Sequence, residues 1–181
     1  MKEQKIYYYQ STTDNKQNMP SKNHPHQAAL IAEYFLSKAK EENKPISNKK
    51  LQKLLYYAQA WHLALYGEKL FKEDIEAWIH GPAVRKIYTL YKKFGFAPIT
   101  INKIPTEKLN KLQKKQINLL EEIWKIYGKY DADYLEQLSH SEPPWQKARE
   151  GLDSTMSSKN IISDEEMKKY YKNLYKTHSK K

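Results

Sequence analysis

The helical fold of this chain is decided by the stretch SNKKLQKLLYYAQAWHLALYG at residues 47–67. Its core-forming side chains recur at steps of three and four residues, the spacing of one face of an α-helix. Ser47 precedes this stripe and suits a helix N-cap, and Gly67 follows it and suits a helix end. The stretch therefore predicts a helix between these two residues, with a stripe that consists of Leu51, Leu54, Leu55, Ala58, Trp61, His62 and Leu65.

The same spacing predicts further helices on both sides of this stretch. A third helix is expected to open at Gly81-Pro82, with Pro82 at the first helical position. Residues 74–80 are expected to form a short strand or an extended link, and residues 96–104 can form a second short strand. The fold class is therefore mainly α, one compact domain of about seven helices with room for one small β-hairpin. The other predicted helices are 27–42, 105–128, 131–139, 143–151 and a last one that follows the capping box of Ser163 and Glu166.

The composition is that of one domain. A chain of 181 residues that is 39% hydrophobic can form one core, to which 15 Tyr, 4 Trp and 4 Phe contribute large apolar area. We expect a flexible N-terminal arm at residues 1–25, a helical domain at 26–177 and a basic tail end at 178–181. No apolar run approaches the length of a membrane span, and no signal-peptide pattern opens the chain, so we expect a cytoplasmic protein without a membrane partner.

The formal charge of +11, from 32 Lys and Arg against 21 Asp and Glu, admits two interpretations. A basic excess is typical of proteins that bind nucleic acid. However, only Arg85 and Arg149 are arginines, and recognition of phosphates and bases favours the guanidinium fork. Scattered lysines are also typical of a solvated surface, so nucleic acid is the less favoured partner.

The sequence carries no motif for catalysis or for a metal. The absence of Cys excludes disulfides, thiolate metal sites and a cysteine nucleophile. The six histidines form no helical pair at i and i+4, and the adjacency of Ser139 and His140 does not by itself place a nucleophile against a base. No phosphate loop, nucleophile elbow or dinucleotide fingerprint occurs. We therefore expect no enzymatic activity, no catalytic residues, no metal and no cofactor.

Long polar and aromatic side chains interrupt the stripe of the 47–67 helix. One interpretation is a core stripe in which lysine stems lie along apolar surface. The other is that this flank of the helix is exposed and binds a partner, because aromatic residues with few charges are typical of interface cores. The candidate partner-binding residues on this flank are Gln52, Lys53, Tyr56, Tyr57 and Gln59.

Two corners of the sequence each combine a histidine, prolines and a tryptophan. Their likeness leads us to the hypothesis that they lie together in space. An imidazole beside a helix N-terminus is a natural pocket for an anion or a carboxylate, which gives His80 a possible role. The alternative is that both tryptophans belong to the core. The candidate partner-binding residues of the two corners are Trp78, His80, Gly81, Pro82, His140 and Trp145.

Three segments carry a family resemblance: KLQKLLYYAQ at 50–59, EAWIHGPAV at 76–84 and LSHSEPPWQKAR at 138–149. In this order they resemble the Panacea domain of the SocA-like antitoxins, a family also described as phage-associated proteins. Ser139 stands where the family usually has Thr, and Ala83 stands inside the usual Gly-Pro-Val, so the packing of that corner is expected to differ. The resemblance spans residues 28–175.

The resemblance implies an antitoxin that neutralises a toxin encoded beside it by direct protein–protein contact. It also implies a link to proteolysis, because the member that gives the family its name delivers its toxin to the ClpXP protease. The expected partners are therefore a cognate toxin and a ClpXP-type protease. The alternative that the residues leave open is a mobile-element or phage regulator that binds nucleic acid without catalytic activity, although no helix-turn-helix of the expected size is evident.

Overall fold

The computed structural model describes residues 26–101 and 106–178. These ranges hold eight α-helices and one two-stranded sheet, which confirms the prediction of a mainly helical fold with a small hairpin. None of the helices in these ranges is long and apolar enough to cross a membrane. The elements are α1 (Ala28–Glu41), α2 (Asn48–Tyr66), β1 (Glu76–Trp78), β2 (Gly81–Ala83), α3 (Arg85–Tyr91), α4 (Thr106–Leu109), α5 (Lys114–Tyr127), α6 (Ala132–His140), α7 (Pro143–Ala148) and α8 (Asp164–His178).

Helix α2 is the centre of the fold. The Ser47 hydroxyl accepts a hydrogen bond from the backbone N–H of Lys50 at 3.3 Å, and Gly67 ends the helix in the left-handed region at φ 77°. Both predicted ends are therefore confirmed. The helix packs against α1, α5, α6, α8 and the hairpin, so every residue from Leu51 to Leu63 is buried. A helix that is covered on all sides is a core helix rather than a surface helix.

Only the first strand of the hairpin lies in a segment predicted to be extended, since β1 falls within residues 74–80 and β2 lies outside 96–104. Strands β1 and β2 pair antiparallel with Ala77 opposite Pro82, and Ile79 and His80 form the turn between them. Pro82 therefore belongs to a strand, and the prediction that it opens the third helix is wrong, since α3 begins at Arg85. The strand predicted at 96–104 is also wrong over its described part, where the only pairing is an isolated bridge to Ser47.

The long helix predicted at 105–128 is interrupted. The backbone leaves the helical conformation before α5, and Gln113 becomes the N-cap of that helix with ψ 155°. The Gln116 side chain accepts a hydrogen bond from the Gln113 backbone N–H at 2.9 Å and closes a capping box. Local capping therefore competes with continuation of the helix, and α4 and α5 replace one long element.

The remaining predicted helices are confirmed. The Asp131 carboxylate caps α6 by accepting a hydrogen bond from the backbone N–H of Tyr134 at 2.7 Å, and α7 begins at Pro143. Helix α8 follows Ser163, as the capping box predicts. The predicted flexible arm at 1–25 and the tail residues 179–181 lie outside the described residues, and the proposed domain limits remain predictions.

Candidate functional site

The two Trp-containing corners meet, as the sequence hypothesis predicts. The indole Nε1 of Trp145 on α7 donates a hydrogen bond to the backbone carbonyl of Trp78 on β1 at 3.1 Å. One turn later, the guanidinium of Arg149 donates to the carbonyl of Ala77 at 3.0 Å. These two bonds fix the hairpin against α7. Both tryptophans are only half-buried, so neither is a fully enclosed core residue.

Lys53 anchors the other side of the hairpin to α2. Its buried ammonium donates hydrogen bonds to the backbone carbonyls of His80 and, at 3.2 Å, of Pro82. Burial lowers the pKa of Lys53 to about 7, an effect that Lys49 reinforces and the Glu136 carboxylate opposes. Gly81 leaves room for this amine, because a Cβ there would lie 2.7 Å from the Lys53 Nζ.

The α2 flank predicted to be exposed is buried, and that prediction is wrong. All five side chains are less than 4% exposed, because α2 is covered on every side. Gln52 accepts a hydrogen bond from the Val84 N–H at 2.8 Å, which secures the hairpin further. Each of these side chains has a structural partner in the interior. The buried set is Gln52, Lys53, Tyr56, Tyr57 and Gln59.

Tyr56, Tyr57 and Gln59 lie away from the hairpin. Tyr57 stacks on Tyr127 with ring centroids 3.9 Å apart. The Gln59 amide accepts from the Leu70 N–H at 2.9 Å and donates to the Phe71 carbonyl at 3.0 Å, so it holds the chain that leaves α2. The structure therefore separates Gln59 from the two corners, whereas Tyr56 reaches Glu142 beside the second corner.

Glu142 is a buried acid that the sequence analysis did not single out. One of its carboxylate oxygens accepts hydrogen bonds from the hydroxyls of Tyr56 at 2.9 Å and of Tyr171 at 2.7 Å. Burial raises the pKa of Glu142 to about 7, although the tyrosine hydrogen bonds act in the opposite direction. Its signal in the sequence was its position directly before the Pro-Pro start of α7, inside the third motif.

The two candidate histidines have different environments. His80 is exposed in the hairpin turn with its Nδ1 3.4 Å from a Glu136 carboxylate oxygen. Since no helix begins beside it, the proposed pocket at a helix N-terminus is wrong. His140 is half-buried and stacks on Trp145 with ring centroids 3.9 Å apart. Burial lowers the pKa of His140.

The geometry does not assemble the catalytic or metal sites that the sequence analysis considered. The Ser139 hydroxyl donates to the Glu136 carbonyl at 2.8 Å, while the neighbouring His140 ring stacks on Trp145. Over residues 26–101 and 106–178, no group of three or more His, Asp or Glu side chains is arranged to hold a metal ion.

A groove opens beside the hairpin, with a volume of about 380 Å³. Its walls come from residues 48–53 of α2, 78–83 of the hairpin and 88–96 of α3 and the turn after it, and we call it the hairpin groove. Trp78 and Tyr88 meet edge to face at 4.9 Å in its wall. At its rim Phe96 is 98% exposed.

Five residues of the predicted set line the groove, namely Gln52, Lys53, Trp78, His80 and Gly81. The groove adds residues that the sequence analysis missed, notably Tyr88, Lys92 and Phe96. A signal for these residues exists in the sequence. No Asp or Glu occurs from residue 77 to residue 106, whereas the same stretch contains Arg85, Lys86, Lys92, Lys93 and Lys103.

Comparison with known proteins identifies the family of this chain. The family described as Antitoxin SocA-like, Panacea domain, matches residues 51–146. The chain belongs to this family. It is also 31% identical over 133 residues to a protein named Antitoxin SocA from Caulobacter vibrioides, an alignment that covers 68% of this chain and 71% of that protein. No solved structure matches the chain.

The match to the SocA-like family confirms the resemblance drawn from the three motifs, and its range includes all of the groove lining except Asn48 and Lys49. The two departures from the family pattern have definite surroundings here. Ser139 Oγ would lie 3.0 Å from a Cβ at Gly81, so it helps to enclose the hairpin turn. Ala83 is buried in β2, the strand that packs against α2 and α6. The phage association stays a prediction.

Proposed function

We propose that this protein is the antitoxin of a toxin–antitoxin pair and neutralises its toxin by direct protein–protein contact, without catalysis of its own. Membership in the SocA-like antitoxin family is the observation that carries the proposal. The matched range of 51–146 includes nearly all of the hairpin groove and its exposed rim. The part of the chain that belongs to the family is thus also the part that offers a binding surface.

The rim of the hairpin groove supports contact with a protein. Among the residues that line the groove, Phe96 is 98% exposed and Tyr88 40%. Aromatic anchors close to a concave apolar wall are typical of the centres of protein interfaces. Association with a toxin removes these side chains from water, which favours binding by roughly 25 cal/mol per Å² of apolar area buried.

Co-expression with the product of the neighbouring open reading frame tests the proposal. We expect the neighbour alone to arrest growth, co-expression to restore growth, and a stoichiometric complex to co-purify. An inactive neighbour that forms no complex contradicts the proposal for this pair. Rescue without a complex contradicts direct binding as the mode of neutralisation and favours delivery to a protease.

A protease-deficient host separates these two modes. If the protein acts as an adaptor to a ClpXP-type protease, rescue and loss of the toxin both disappear in a host that lacks the protease. If the protein occludes the toxin, rescue persists in that host and the toxin accumulates in the complex. The comparison uses the full chain and the same two expression levels in both hosts.

The charge of +11 is the observation that favours a second candidate, a nucleic-acid-binding regulator. Binding through phosphates alone weakens steeply with salt, by about three to five orders of magnitude between 50 and 200 mM for proteins that make six to ten phosphate contacts. If the protein binds nucleic acids of any sequence and its affinity falls this steeply with salt, the binding reflects only the electrostatic effect of the lysines. A specific operator in the chain's own promoter is the result that establishes this second function.

A further inference from the structure

We infer that the hairpin groove receives an acidic segment of the toxin that carries an apolar side chain next to its Asp or Glu residues. The inference rests on the proposed function and adds to it the place and the chemistry of recognition. It follows from the sign of the charge around the groove, from the apolar character of its walls, and from the charge of the alternative occupants.

Among the described residues, no acidic side chain lines the groove, although the carboxylates of Asp133 and Glu136 lie beside its α2 side. No acid occurs in the sequence from 77 to 106, which supplies the hairpin and α3 walls, and Lys92 and Lys93 are exposed there. Lys53 adds a buried amine to the groove lining. Lys49 contributes less, because Asp133 at 2.7 Å and Glu136 already pair with it. An incoming carboxylate therefore meets uncompensated positive charge mainly on the α3 side.

The walls of the groove also require an apolar group. Trp78 and Tyr88 form one wall by edge-to-face contact, and Phe96 extends from the rim into solvent. A volume of about 380 Å³ lies within the range of pockets that enclose small ligands or a few side chains. A segment with charge alone leaves these aromatic faces in water, so the fitting segment has both kinds of side chain.

The protein itself could supply two other occupants of the groove, a second copy and its own N-terminal segment, and both have the wrong charge. A second copy carries +11, which opposes association through this basic surface. The N-terminal residues 1–25 contain four lysines against two acids, so this segment is also basic. A nucleic acid has the right sign, but Arg85 is the one arginine near the groove and its guanidinium is bound by the Glu76 carboxylate. The observations therefore favour an acidic protein segment.

Photocrosslinking tests the location and the chemistry together. The crosslinking residue p-benzoylphenylalanine replaces Phe96, where full exposure removes any effect on folding, and in a matched control it replaces Tyr175, an exposed aromatic on α8. Each full-length variant is co-expressed with the neighbouring gene product and irradiated. We expect a crosslink from position 96 and none from position 175, with an Asp- or Glu-containing toxin peptide identified by mass spectrometry.

Charge reversal supplies an independent kinetic readout. In Lys92→Glu we expect the association rate with the purified neighbouring gene product to fall about tenfold at low ionic strength and the difference to shrink in high salt. Lys114→Glu, an exposed lysine at the start of α5, is the matched control and should change the rate less than twofold. Both variants should keep the wild-type unfolding midpoint.

The outcomes distinguish the two proposals. A co-purifying complex that crosslinks at 175 but not at 96, or through a peptide without acids, overturns the groove inference and leaves the antitoxin proposal standing. A crosslinked adduct that nuclease removes also overturns it and supports the nucleic-acid function. No complex at all overturns both proposals for this pair. Equal rates for Lys92→Glu and Lys114→Glu overturn the role of charge.

Discussion

The side chain of Trp145 is hydrogen-bonded to the backbone of Trp78, with the indole Nε1 3.1 Å from the carbonyl oxygen. The two residues lie on α7 and β1, and this bond joins the two corners that the sequence presents as similar motifs. Because the acceptor is a backbone atom, the bond depends on the Trp145 side chain alone and tolerates changes of the Trp78 side chain.

The first prediction is that Trp145→Phe destabilises the fold by about 1 kcal/mol, since the ring stacking on His140 is kept while one partly buried hydrogen bond is lost. Chemical denaturation at neutral pH measures the change in the free energy of unfolding. Phe96→Leu is the control and should change that free energy by less than about 0.5 kcal/mol, because Phe96 is exposed. Equal stability of Trp145→Phe and wild type contradicts the prediction.

The second prediction concerns Arg149, whose guanidinium donates to three backbone carbonyls, those of Ala77 at 3.0 Å, Asp153 at 3.2 Å and Met156 at 2.7 Å. The compact ammonium of a lysine cannot reach all three, so Arg149→Lys leaves at least one of these buried or partly buried carbonyls unpaired. We expect a loss of about 1–3 kcal/mol in the free energy of unfolding.

Arg85→Lys is the matched control for Arg149→Lys. Arg85 is half-exposed and binds the Glu76 carboxylate at the surface, so its replacement should cause a clearly smaller loss. The two variants are compared by urea denaturation under one set of conditions. A loss for Arg85→Lys as large as that for Arg149→Lys contradicts the prediction, because both replacements keep the charge and only Arg149 binds backbone carbonyls.

The ends of α2 could be predicted from the sequence because local groups decide them. Ser47 accepts a hydrogen bond from the backbone three residues on, and Gly67 adopts the positive φ that favours glycine. The burial of the α2 flank could not be predicted from local groups in this way. Helix α8, about a hundred residues later in the chain, covers that flank, and Tyr171 reaches the same buried carboxylate as Tyr56.

The start of the third helix shows why the site was only partly predictable. The fixed φ of Pro82 is compatible with both a helix N-terminus and an extended strand, so the local sequence does not choose between them. Distant groups choose the strand: Lys53 binds the carbonyls of His80 and Pro82, and Arg149 binds the carbonyl of Ala77. The contact between the two corners could be proposed from the sequence, because both motifs combine a histidine, proline and a tryptophan.

The third prediction is that replacing Glu142 changes how stability depends on pH. Below about pH 4.5 the carboxyl is protonated in both the folded and the unfolded protein. Between pH 4.5 and about 7 it ionises only in the unfolded protein, because burial holds its folded pKa near 7. The contribution of Glu142 to the stability of wild type therefore falls by on the order of 3 kcal/mol as the pH rises through this window, and it stays constant above the window.

Glu142→Gln has no such titration and keeps an oxygen that can accept from Tyr56 or Tyr171. We expect the stability of this variant relative to wild type to increase from pH 4.5 to 7 and then to level off. Urea denaturation at pH 4, 5.5, 7 and 8 measures both proteins, and the Lys53 titration cancels in the comparison. Glu150→Gln, at an exposed acid, should run parallel to wild type, and a parallel profile for Glu142→Gln contradicts the prediction.

The fourth prediction separates two reasons why residue 81 is a glycine. Gly81 has φ +88°, and a Cβ there would also lie 2.7 Å from the Lys53 Nζ. Gly151 has a similar φ of +77° with nothing within 4 Å of its Cβ position, so Gly151→Ala measures the conformational strain alone. That strain is expected to destabilise the protein by about 1–2 kcal/mol.

Gly81→Ala adds the steric conflict with Lys53 to the same strain. We expect it to destabilise the fold by about 1–3 kcal/mol more than Gly151→Ala, because the buried amine has to leave the carbonyls of His80 and Pro82 or shift the hairpin. Thermal and urea unfolding of both variants give the difference. Equal losses show that the φ angle alone requires glycine at 81. The same comparison is then made in a Lys53→Ala background, where the amine is absent. If the extra destabilisation by Gly81→Ala disappears there, Lys53 is the group that excludes a side chain from the hairpin turn.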